Sequence, residues 1–225
     1  MQSSATRLWV AFLAILLACP IAGTAGSALA GTEVLDYRVR LAIFGDIGSY
    51  ENRITTAGRI TTVTSKLRCV VSLLGIVLHR EDADRTERWQ DGRLIYFDGT
   101  TTTNGHSVHV HGEARSDLFV VISPTGTVAA PAGVFPSNPW SEAFIHADTI
   151  LHVTTGRIEP AKVVADGAET ALVVAGKSVP ATPYRIESSL TDAIVWVDRR
   201  GIPVLMKVKS RGHTVTLVLQ SVTEQ

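Results

Sequence analysis

Three of the chain's seven histidines fall within six positions, His106, His109 and His111, in the stretch NGHSVHVHGEAR from Asn104 to Arg115. On a strand, His109 and His111 project from one face about 6.5–7 Å apart, a spacing at which two imidazoles can share one metal ion. Glu113 is on that face but about 13 Å from His109, too far to join the same ion. A third ligand would have to come from another strand. His79, His146, His152, His213 and Asp98 have suitable chemistry, and no spacing selects one of them. Zinc takes three or four ligands, so Ser107, His109, His111, Glu113 and Arg115 read better as a solvated strand face. His109 and His111 are therefore kept as metal candidates for a rival reading, and no cofactor is expected.

Other reactive patterns are thin. The run HREDADRTER, His79 to Arg88, offers Asp82 and Asp84 as oxygen ligands. It lacks the glycine and the distal bidentate glutamate of a calcium loop, and its alternating signs predict a solvated strand or turn. The sequence contains no G-x-S-x-G elbow, H-E-x-x-H, P-loop or C-x-x-C motif. Cys69 sits in the apolar KLRCVVSLLGIVL and reads as a buried small hydrophobe rather than a thiolate. Binding is thus expected rather than catalysis. The ligand-binding candidates are the aromatics of an expected interior: Tyr37, Trp89, Trp140, Tyr184 and Trp196. The same rings could simply fill a core.

The elements that would position these groups are strands. Leu35, Tyr37, Val39, Leu41 and Ile43 alternate with Asp36, Arg38 and Arg40, one dry face against one wet face. Val204, Met206 and Val208, then Val215, Leu217 and Leu219, repeat the pattern around Arg211-Gly212-His213 and should pair antiparallel. Gly45-Asp46-Ile47-Gly48, Asp91-Gly92, Asn104-Gly105, Asp166-Gly167 and Arg200-Gly201 read as turns. One segment departs from two-residue alternation. Asn138 as cap, Pro139 at a first helical position and Glu142 soon after predict a short helix over about Pro139–His146. The expected fold is mainly β: a single curved antiparallel sheet, a half-barrel or barrel-like meander, with one short helix packed against it.

The ends and the charge narrow the setting. Arg7 followed by LWVAFLAILLA and the small residues up to Ala28-Leu29-Ala30 reads as a signal peptide over residues 1–30 with cleavage after Ala30. A lipobox-like LLAC ending at Cys19 is the lesser alternative. Residues 31–225 then form one β domain in the periplasm or outside the cell, with no later apolar run long enough to span a bilayer as a helix. Losing Arg7 leaves 20 basic against 21 acidic residues, so no charge excess points to nucleic acid. With Cys19 gone, Cys69 has no intramolecular disulfide partner.

YRVRLAIFGDIGSYENRIT, ERWQDGRL, PSNPW, LHVTTGRIEPAKV and VAGKSVPATPYRIESSLTDAIVWVD occur in that order between Tyr37 and Asp198. In this order they resemble a family of exported bacterial β-proteins, the domain of unknown function 6134, over most of residues 36–220. The Trp89 hairpin, the Trp140 segment and the Trp196 strand are its landmarks, and His109 and His111 match no signature of it. The resemblance carries no activity with it. Its strand pattern is similar to periplasmic lipoprotein-carrier-type half-barrels, which implies a sheet wrapped around a helix and holding acyl chains. The leading expectation is an exported, non-catalytic protein that binds an apolar or amphipathic, lipid-like ligand or an envelope partner. A scaffold with a filled core and a metal-binding protein using His109 and His111 are the rivals.

Overall fold

A computed structural model describes residues 31–225 apart from Leu190 and Arg211. The expected leader, with Cys19 and Ala30, lies outside the described residues. Eight strands run as consecutive hairpins: β1 (Gly31–Leu41), β2 (Gly45–Ala57), β3 (Ile60–Leu73), β4 (Ile76–Gln90), β5 (Arg93–Thr103), β6 (His106–Arg115), β7 (Leu118–Ser123) and β8 (Gly126–Pro131). An inner segment follows, with β9 (Phe135–Pro136), a 3-10 turn at Glu142–His146, β10 (Thr149–Leu151) and β11 (Ile158–Pro160). The chain then returns to the main sheet through β12 (Lys162–Ala165), β13 (Thr170–Val174), β14 (Lys177–Glu187), β15 (Asp192–Asp198), β16 (Pro203–Ser210) and β17 (His213–Glu224).

The last strand closes on the first. β17 pairs antiparallel with β1, so one 14-stranded sheet runs from β12 and β13 through β14–β17, then β1, and on to β8. Its two edges, β8 and β12, are not paired with each other. The sheet is therefore an open, barrel-like one, and segment 132–161 packs inside it. Gly156 lies against Ser123 of β7, Glu142 donates its N–H to the Gly201 carbonyl (2.9 Å), and Phe144 meets Tyr184 of β14. One continuous core joins Leu35, Phe97, Phe119 and Val195 of the sheet to Phe135, Phe144 and Leu151 of the segment.

Alternation explains the strands. Leu35, Tyr37 and Val39 are buried while Arg38 and Arg40 are exposed, as a sheet wet on one face requires. Asp91-Gly92 and Asn104-Gly105 turn with φ of 51° and 78°, and of 50° and 83°, the paired positive values of a tight hairpin. Gly48 permits the closest strand approach: a Cβ there would lie 1.9 Å from the Arg68 carbonyl oxygen.

Four expectations need correction. The helix predicted over Pro139–His146 is only the 3-10 turn Glu142–His146, capped by Ser141; Asn138 does not cap it because its side chain is drawn into the core. The turn predicted at Gly45–Gly48 lies earlier: the Phe44 N–H bonds to the Leu41 carbonyl (3.0 Å), and Asp46 pairs with Arg38 and Arg40 across the hairpin. The charged run of β4 is solvated on one face only, since Arg85 and Glu87 alternate inward with Ala83 and Trp89 and are buried. Trp196, expected inside, stands half-buried on the outer face with the Lys207 ammonium 5.2 Å from its ring centre. Its neighbours Val195 and Val197 take the inward places.

Candidate functional site

Inside the sheet, a polar knot and an empty space lie side by side. The knot centres on Glu87, which is fully buried. Its Oε1 accepts from Asn138 Nδ2 (2.8 Å), and its Oε2 accepts from Trp89 Nε1 (2.9 Å) and Trp140 Nε1 (3.1 Å). Asn138 Nδ2 also donates to Ser65 Oγ (3.0 Å), Ser65 donates to Asn52 Oδ1 (2.7 Å), and the Tyr50 hydroxyl donates to Asn138 Oδ1. Asn138 thus ties the inner segment to β2, β3 and β4 through side chains. Burial pushes the Glu87 carboxyl up to about 7, against the opposing pull of Asn138, Trp89, Trp140 and Arg85. Burial likewise pushes the Tyr50 phenol up to about 12. Trp89 packs on Phe135 (5.0 Å between ring centres) and Trp140 (5.9 Å), filling the space beside the knot.

Beyond Tyr50 and Asn138 the interior is open. A cavity of about 660 Å³ lies between β1–β4, β14–β17 and the inner segment. Val39, Leu67, Cys69, Ile186, Ala193, Met206 and Leu217 wall it, and His79, Glu81, Lys209 and His213 stand at one end. Burial pushes the Cys69 thiol up to about 12, with Glu81 and Asp82 adding to the shift. This is the inert setting expected of that residue. Arg85 reaches the cavity from the knot side. Its stem lies across Gly99, where a Cβ would come within 3.1 Å of Arg85 Cγ. Its guanidinium donates to Thr101 Oγ1 at 3.3 Å, and its buried Nε has no partner.

The candidate aromatics divide. Trp89 and Trp140 hold Glu87, Tyr37 is buried with its hydroxyl on the Pro203 carbonyl (2.8 Å), and Tyr184 packs edge-on to Phe144. None of these four, nor Trp196, lines the cavity; its aromatic lining is Phe44, Tyr50, Phe135 and Phe144. Sequence reasoning missed Glu87, Asn138 and Arg85. The available signal was the parity of β4, which places positions 83, 85, 87 and 89 on one face.

His109 and His111 lie on the outer face of β6, where Asp98 Oδ2 contacts His109 Nε2 (2.9 Å) and His111 Nδ1 (3.2 Å). Asp98 stands opposite His111 in the β5–β6 register. Among the described residues, no three His, Cys, Asp or Glu side chains are grouped so as to hold a metal ion. Glu159 makes a separate cluster, accepting from Ser188 Oγ (2.6 Å) and Ser189 and contacting His152. Burial would raise its carboxyl, but these hydrogen bonds outweigh that and hold it below the usual value. Both serines point to the carboxylate rather than to the imidazole, and the hydroxyl that meets His152 Nε2 is that of Thr191, at 3.4 Å.

Residues 45–220 match the model of a domain of unknown function, DUF6134. Among solved structures, a β-barrel-like protein of the domain of unknown function DUF1849 from Brucella abortus is similar. Its TM-score is 0.61 at 13% identity, with 87% of this chain and 98% of that one covered. At that identity the likeness is one of fold. No curated protein matches the chain.

Proposed function

The chain belongs to the DUF6134 family, and from the cavity inside its open sheet we propose that it is an exported, non-catalytic protein that binds a ligand of largely apolar surface. The observation that carries this reading is the unfilled 660 Å³. Protein interiors close-pack, and small-molecule sites occupy roughly 300–1,000 Å³ with mostly apolar walls and few polar groups. A filled-core scaffold has no use for such a space. The apolar leader over residues 1–30 supports export to the periplasm or beyond.

Two measurements test it. Native and denaturing mass spectra of the exported protein should differ by a few hundred daltons of co-purified amphiphile. The apo protein should brighten N-phenyl-1-naphthylamine fluorescence, and Ala193→Phe, which intrudes on the cavity wall, should weaken that binding at least tenfold. Failure of the wild type to bind the dye or any co-purified molecule would overturn the proposal.

A further inference from the structure

The cavity holds a cation that the fold leaves short of partners. Arg85 is 7% exposed, lines the cavity, makes one long hydrogen bond to Thr101 and keeps an unpartnered Nε. Glu87, two residues along the same strand face, is the nearest source of compensating charge, yet both its oxygens are taken by Asn138, Trp89 and Trp140. Among the described residues no carboxylate lies within ion-pair distance of Arg85. Buried guanidinium groups are ordinarily paired with a carboxylate or phosphate. Gly99 leaves room for the arginine stem, and Thr101 holds the head. Arg85 is six residues along β4 from His79 at the other end of the cavity, about 20 Å. Glu81 lies between them near the His79 end, and the facing wall of Leu67, Ile186, Met206 and Leu217 is apolar.

Resting on the reading above, we propose that the ligand is a single-chain amphiphile with an anionic head: the head meets Arg85 and the chain runs along the apolar wall toward His79 and Lys209. The test compares 11-(dansylamino)undecanoic acid with its methyl ester. The ester reports the apolar cavity, and the acid-to-ester affinity ratio reports Arg85. The acid should bind wild type at least tenfold tighter than the ester. Arg85→Met should bring the ratio to about one, and Arg85→Lys should restore part of it. Equal affinities in the wild type would overturn the anionic head and leave the cavity reading standing. No binding of either probe would overturn both. Equal wild-type affinities overturn the anionic head even if Arg85→Met fails to fold.

A second, independent feature lies at the same end of the sheet. β3 and β4 stay paired from Val70↔Arg80 to Leu73↔Ile76. The neighbouring ladders stop earlier, β2 at Gly48↔Cys69 and β5 at Glu81↔Thr103. The last four residues of β3 and the first five of β4 thus form a ribbon reaching about 13 Å beyond its neighbours, with Val71 buried and Arg80 bonded to Asn104 at its base. Val70, Leu73, Leu74, Ile76, Val77 and Leu78 of this ribbon are all exposed, Leu74 at 94%. Ile76, Val77 and Leu78 are consecutive, so both faces of the ribbon are apolar. A flat protein partner would cover one face; hydrocarbon covers all sides. The cations around this end are already paired, Arg80 with Asp82 (2.7 Å), His79 with Glu81 (3.7 Å) and Lys209 with Asp192 (2.5 Å), so the apolar tip itself carries the affinity for hydrocarbon. Ile43, in the adjacent β1–β2 turn, is 74% exposed.

The geometry points to the β3–β4 tip as a membrane anchor that seats this end of the cavity on a phospholipid bilayer. In vesicle flotation with phosphatidylcholine and phosphatidylglycerol, the mature chain should rise with the vesicles. The double variant Leu74→Asp, Ile76→Asp should bind at least tenfold less while keeping its dye binding. A wild type that stays at the bottom, or a double variant that floats equally, would overturn the anchor. So would light scattering that shows a wild-type dimer dissociated by the double variant, since a second copy would then be the occupant.

Discussion

One strand, β4, passes through two regions built on opposite principles. Near its end, Glu87 and Trp89 lie in a packed interior where both Glu87 oxygens are satisfied by donors from β4 and the inner segment. A few residues earlier, the same inward face borders 660 Å³ of unfilled space at Arg85, Glu81 and His79. Packing alone would favour closing both regions. The knot explains how one can stay open: Asn138 pins the inner segment to Glu87 and Ser65, so Phe135 and Phe144 are held at the cavity wall and cannot collapse into it. The packed region is thus the brace of the empty one.

The largest expected effect is on that brace. Glu87→Ala leaves Trp89 Nε1, Trp140 Nε1 and Asn138 Nδ2 without their acceptor. Each unsatisfied buried donor costs about 1–3 kcal/mol, so a loss of about 3–5 kcal/mol is expected in urea unfolding. A loss under about 1 kcal/mol would mean that the knot braces nothing.

The pH dependence of the same group comes next. The folded-state pKa of Glu87, about 7, lies above its ordinary 4.5, so the folded protein binds the proton more tightly than the unfolded chain. This contribution to stability is fully present below about 4.5 and is lost as pH rises through 7. Wild type should be more stable at pH 5 than at pH 8 by roughly 2–3 kcal/mol from this group, and Glu87→Gln should flatten that slope. Groups held low, such as Glu159 and Asp192, act in the opposite sense only at more acid pH. A slope that survives Glu87→Gln would assign it elsewhere.

Much of the sheet was legible because strands alternate and hairpin glycines mark their turns: the Leu35–Tyr37–Val39 face, Asp91-Gly92, Asn104-Gly105 and the β16–β17 pair stand as read. The interior was not legible, for particular reasons. HREDADRTER has the composition of a solvated surface, yet only one of its faces is wet, and no local signal says that an arginine and a glutamate take the dry one. Asn138-Pro139 offers the same local chemistry whether the asparagine caps a helix or enters a core; the choice is made by Glu87 and Ser65, far away in sequence. In Ala193-Ile194-Val195-Trp196-Val197 both faces are apolar, so alternation could not tell which side Trp196 takes. The cavity itself is an absence of side chains, which no single segment encodes.

The contrast between packed and open regions can be tested by adding volume to each. Ala130, opposite Phe119 in the β7–β8 pair, is buried in the packed region, and Ala193 lines the cavity. Ala130→Phe should cost about 1–3 kcal/mol through overpacking. Ala193→Phe should stay within about 1 kcal/mol of wild type while weakening dye binding. Equal costs in urea unfolding would mean that the space closes in solution and that the two regions do not differ.

The smallest expected effect lies outside both regions, where the sequence looked most like chemistry. His109 and His111 face solvent on β6 and share Asp98 across the strand pair. An exposed pair of this kind contributes about 0–1 kcal/mol, so His109→Ala should change the unfolding free energy measured in urea by less than about 0.5 kcal/mol. Zinc tests this cluster directly. Two imidazoles and one carboxylate on a flat outer face have no enclosing shell to fix their geometry, so equimolar zinc should leave the melting temperature of wild type and variant alike. A zinc-induced rise in wild type that His109→Ala removes would make the outer face, rather than the cavity, the place to look for this protein's ligand.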